Sequence, residues 1–129
     1  MPLKNIKNQL SSDVNENVDN YESDINSAAN NSSQSTQDRI ARIRAASDRA
    51  KQRIDQTEQR VINEIESLPA SQQDQLVDLW EEASKTLTGL IENILNRVVQ
   101  MILNFVRNVI QTVRTIFEGA REVFNKMFT

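Results

Sequence analysis

The sequence predicts an all-α protein, and three observations carry that prediction. Only two glycines and two prolines occur in 129 residues, too few to punctuate a multi-stranded sheet. Good helix formers such as Ala, Arg, Gln, Glu and Leu are plentiful,. Apolar residues recur at steps of three and four along most of the chain, the spacing of one helix face. The expected architecture is long amphipathic helices with an eleven-residue apolar repeat, arranged as a kinked or hairpin helix pair that assembles into a multi-helix bundle, barrel or filament.

Residues 1–36 are rich in Asn, Ser and Asp, the composition of a polar arm,. Leu3, Ile6, Leu10, Val14, Val18, Tyr21, Ile25 and Ala28 nevertheless hold helical spacing,. The arm is therefore expected to be weakly helical, or to order on assembly. Residues 37–68 form a charged helix, opened by Ser35 as a cap with Asp38 three residues on,. Its apolar seam (Ile40, Ile43, Ala50, Ile54, Val61, Ile65) is thin, as in a coiled-coil contact,. Pro69 disfavours helical geometry at Leu68, and Ser71 with Asp74 can cap a new start, so a turn or sharp kink belongs there,.

The remaining stretch, 69–129, reads as one long amphipathic helix. Its apolar residues fall in rows eleven apart: Leu87, Val98 and Val109; Ile91, Ile102, Val113 and Phe124; Ile94, Phe105, Ile116 and Met127; Leu95, Val106, Phe117 and Phe128. Followed through the whole chain, the row Leu10, Tyr21, Ser32, Ile43, Ile54, Ile65, Leu76, Leu87, Val98, Val109 and Ala120 departs from apolar character only at Ser32. Eleven residues in three turns is about 3.67 per turn, which keeps a seam on one side of a nearly straight helix. The period resembles that of lipid-droplet coat proteins, synucleins and desiccation proteins. The Lys-Thr-Lys-Glu-Gly core of synucleins and the Lys/Ala-rich repeats of desiccation proteins are absent here, so the resemblance is one of period alone.

A continuous helix over 87–128 would be roughly 63 Å long. It would expose on the order of 600 Å² of hydrocarbon, more than a soluble monomer usually tolerates in one patch. The thin seam of 37–68 covers one flank at best. The sequence thus predicts a self-associating structural protein, with the four rows above as its interface. The alternative is adsorption to a lipid surface or pore formation, with Arg107, Arg114 and Arg121 as candidate head-group contacts, because 85–129 holds six basic residues against three acidic,.

Composition argues against the other function classes. With no Cys and no His, disulfides, Cys/His zinc sites and His-based acid–base catalysis are excluded. The carboxylates Asp74, Asp78, Glu81 and Glu82 read as a solvated helix face rather than metal ligands or acid–base groups, and Trp80 lies in an apolar row,. The basic stretch 39–53 is diluted by Asp48, and a formal net charge of −3 opposes phosphate binding,. Neither an enzyme, a cofactor, a small-molecule substrate nor a nucleic-acid partner is expected. No apolar run has the length of a signal-peptide core or of a simple membrane span, since Glu92 and Arg97 interrupt the best window,.

Overall fold

The computed structural model describes residues 2–30 and 33–129, and 88% of it is helix with no strand among the described residues. The elements are α1 (Pro2–Ala29), α2 (Thr36–Ile65), α3 (Ala70–Asn93), a π-helical turn over Ile94–Val98, α4 (Val99–Leu103) and α5 (Val109–Met127). The stretch from α3 through the π turn to α4 runs without a break, so the chain makes four rods. α1 packs on α2 and α5, and α3 packs on α2 and α5. The rods therefore ring one core as a bundle.

Helix α1 starts on Pro2, whose fixed φ and missing N–H suit a first helical position,. It buries Leu10, Val14, Val18, Tyr21, Ile25 and Ala28, the residues whose spacing marked a helix face. The stretch expected to order on assembly is thus a 28-residue helix packed on its own chain. Its exposed faces take the Asn and Ser content that gave the segment its disordered look.

Ser35 caps α2 as its sequence position implies, its Oγ accepting from the Asp38 N–H at 3.1 Å. Small residues Ala46, Ser47 and Ala50 are buried in α2 and allow α1 to come close. The two helices run antiparallel, which their cross-contacts show in order. Arg60 pairs with Asp13 at 3.1 Å, the Asn17 amide donates to Thr57 Oγ1 at 3.2 Å, and both Arg49 and Arg53 meet Asp24 at 3.4 Å. Near the end of α1, Arg39 donates to the Ala29 carbonyl.

The break at Pro69 is present, but α3 begins two residues earlier than the Ser71 cap implied. Pro69 itself stands at the N-cap with ψ 154, and its carbonyl accepts from the N–H groups of Gln72 and Gln73 at 2.9 Å. Ser71 lies inside the helix. Trp80, buried in the core, donates through Nε1 to Glu58 of α2 at 3.4 Å. Ile94, Val98 and Ile102, each four residues after the last, stay on the core face through the π turn and into α4,.

The single helix expected over 69–129 is interrupted. The rod ends at Leu103, the chain reverses over residues 104–108, and α5 returns along α1 and α3. The reversal is a Schellman motif: the Phe105 N–H donates to the Ile102 carbonyl at 3.2 Å and the Val106 N–H to the Met101 carbonyl at 2.9 Å,. Phe105 holds the left-handed position with φ 55. Folding back lets the apolar stripe close on itself and on α1, where Phe117 meets the Tyr21 ring edge-on at 5.5 Å,. Of the eleven-residue row, Leu10, Tyr21, Ile43, Leu76, Leu87, Val98 and Val109 are buried, Ile54, Ile65 and Ala120 are half-buried, and Ser32 lies outside the described residues.

Candidate functional site

Most of the residues expected to meet another molecule lie in the core of a single chain. Leu87, Ile91, Ile94, Val98, Ile102, Val109, Val113, Ile116, Phe117 and Phe124 are buried, and Leu95, Met127 and Phe128 are half-buried. The premise that the chain has too little apolar surface to cover its own C-terminal stripe is corrected by α1, which supplies the missing cover. Phe105 and Val106 alone of that set remain exposed, at 80% and 43%.

The three arginines assigned to head groups separate. Arg121 bridges α5 to α1, its Nη2 lying 2.7 Å from both Asp19 and Glu22. Burial works against its charge, but hydrogen bonds to Glu22 and Asp19 outweigh that and hold the guanidinium above its ordinary pKa,. It lines an open polar cleft of 770 Å³ with Ser23, Asn26 and Ser27. Its two carboxylates, Asp19 and Glu22, are both paired with Arg121. Arg107 and Arg114 are exposed and have no ion-pair partner among the described residues.

Two surfaces remain as candidates for contact. The first is a groove of 340 Å³ between α3 and α5, with Leu90, Ile116 and Ala120 among its lining and Val123, 45% exposed, on its rim. Both glycines of the chain, Gly89 and Gly119, line this groove. Neither has a positive φ, and a Cβ at either would meet nothing within 4 Å. The fold itself therefore does not require glycine at these positions, although each costs about 1 kcal/mol relative to Ala inside a helix.

The second surface is the end of the bundle where α4 turns into α5. Leu103, 47% exposed, joins Phe105 and Val106 there. A non-glycine residue in the left-handed region costs about 1–2 kcal/mol, and the Phe105 ring does not regain it by packing. The elements that reach this end carry Arg39, Arg42 and Arg44 at the start of α2, Arg97 and Arg107 near the turn, and Arg114 in α5; Arg97 also lines the α3/α5 groove, and Arg42 a side cleft with Asp24. The stretches that form this end, 26–30, 33–44 and 97–114, hold one acid, Asp38, against those six arginines. Away from it, Arg49, Arg53, Arg60 and Arg121 are each paired with a carboxylate.

Sequence reading missed both surfaces in their assembled form. In the sequence nothing local sets Gly89 and Gly119 apart, and the arginines of the second surface come from segments more than 50 residues apart. The one local signal was Asn104-Phe105-Val106-Arg107-Asn108, where two turn-forming asparagines bracket an apolar pair,. Among the described residues, no group of three or more Asp or Glu is placed to hold a metal ion, and no helix is long and apolar enough to cross a membrane. No protein-family model, curated protein or solved structure matches the chain.

Proposed function

We propose that this is a non-enzymatic structural protein that associates with further copies of itself, through the α3/α5 face rather than through the C-terminal stripe. The observation that carries the reading is the placement of Gly89 and Gly119. A mid-helix glycine that its own chain neither strains nor crowds is accounted for when another backbone comes close to it. Two copies related by a two-fold axis would each lay a helix against the other's groove, an isologous contact with the apolar lining at its centre. The absence of His and Cys from the sequence supports the non-enzymatic half of the reading,.

Sedimentation equilibrium tests it. The wild-type protein is expected to sediment heavier than one chain, with a mass that rises with concentration. Gly119→Leu, whose Cβ meets nothing within 4 Å in the single chain and whose side chain would occupy the groove, is expected to sediment as a single chain with unchanged helical circular dichroism. Wild-type protein that remains a single chain at the highest accessible concentration overturns the proposal.

A further inference from the structure

We infer that the α4–α5 end of the bundle is a docking surface for an anionic lipid bilayer, with Phe105 as the side chain that enters it. Three independent observations meet there. The turn places Phe105 at the left-handed position of a Schellman motif, where glycine is the usual occupant, and leaves its ring 80% exposed,. Neither the turn nor the core makes use of that ring. Leu103 and Val106 widen it into an apolar wedge, so that three of the five exposed large hydrophobics of the described chain fall within four residues.

Charge supplies the second observation. Arg42, Arg44, Arg97, Arg107 and Arg114 are all exposed, and none has a carboxylate partner among the described residues. Their planar guanidinium groups match phosphate and carboxylate oxygens. The third is contrast with the rest of the chain: the protein as a whole is acidic, with a formal net charge of −3, although the stretches 26–30, 33–44 and 97–114 hold six arginines against one acid. A negative surface therefore attracts this end and repels the rest, which orients the bundle upright on its tip.

An apolar wedge at an end of the bundle that also carries unpaired arginines is complementary to a bilayer interface, where phosphates lie above hydrocarbon. A nucleic-acid backbone offers the phosphates without the hydrocarbon. The inference does not rest on self-association: Phe105, Leu103, Val106 and Arg107 lie outside the α3/α5 groove, and of the arginines of this end only Arg97 also lines it.

Flotation of the full-length protein with vesicles tests it. Binding is expected to vesicles of phosphatidylcholine mixed with phosphatidylserine, to be absent with phosphatidylcholine alone, and to weaken as salt rises. Phe105→Gly should raise the melting temperature, because glycine suits the left-handed position, and should lower the vesicle partition coefficient about tenfold or more. Arg107→Gln combined with Arg114→Gln should lower it by a similar factor of about ten with the melting temperature unchanged. The monomeric Gly119→Leu protein should bind vesicles as the wild type does, which separates this inference from the preceding one. Binding that is equal for both vesicle types, that survives Phe105→Gly, or that occurs to an oligonucleotide in place of vesicles overturns it.

Discussion

The Tyr21 hydroxyl donates to Ser47 Oγ at 2.7 Å across the α1–α2 contact, and the Ser47 hydroxyl donates in turn to the Ile43 carbonyl at 2.9 Å. The two hydrogen bonds satisfy both buried hydroxyls. Burial drives the Tyr21 pKa up to about 12 from 10.0, against the smaller lowering by the Ser47 hydrogen bond,.

Because the folded pKa is the higher one, the unfolded chain releases this proton first as pH rises. The corresponding stability is fully present below pH 10 and is lost as pH climbs toward about 12,. The loss at the top of that window is on the order of 2–3 kcal/mol. Tyr21→Phe should cost about 1 kcal/mol at neutral pH and should flatten the alkaline limb relative to wild type. Urea melts of the two proteins across pH 8–12 give the difference, in which the titration of the lysines cancels.

Arg121 should act as the clasp that holds α5 onto α1. Its guanidinium is one-third exposed and Asp19 is largely exposed, whereas Glu22 is mostly covered. The network therefore contributes about 1 kcal/mol, in the range of partly exposed pairs, and salt should weaken it. Arg121→Gln is expected to speed hydrogen exchange in α5 with little change in α3. Equal acceleration in both helices would show that α5 does not open as a separate unit.

The parts of this fold that were legible in the sequence are those governed by local spacing. The steps of three and four from Leu10 to Ala28 mark the buried face of α1, Ser35 and Asp38 mark the start of α2, and Pro69 marks the turn before α3. The fold-back at 104–108 escaped because its left-handed position is filled by Phe105 rather than glycine. Without that turn, the wide stripe looked exposed, and the amide-rich surface of α1 hid the helix that covers it. Arg42 and Arg107 share one end of the molecule only once four rods are packed, so no sequence window contains that site.

That difference changes what a charge in the stripe should do. Val98 is fully buried at the π turn and Val109 is buried at the start of α5. Val98→Asp places a carboxylate among Ile94, Ile102 and their neighbours with no cation in the core to meet it, a cost of several kcal/mol. The expected result is loss of the cooperative thermal transition even in dilute solution. A variant that stays folded while losing only its association would place Val98 at an interface between chains instead.

Gly89 and Gly119 allow the single chain and the assembly to be separated. In dilute protein, replacing either by Ala removes about 0.5–1 kcal/mol of unfolded-state entropy, and the added methyl meets open space within its own chain,. Each substitution should therefore raise the midpoint of a dilute thermal melt,. In the proposed association, the same methyl groups would stand where the backbone of a second copy approaches at high concentration. The concentration dependence of the wild-type melt should then shrink in the double variant, even though its dilute melt is higher. A double variant that is less stable in dilution would mean that the monomer needs both glycines for its own packing, and the argument for a close partner at this groove would fail with it.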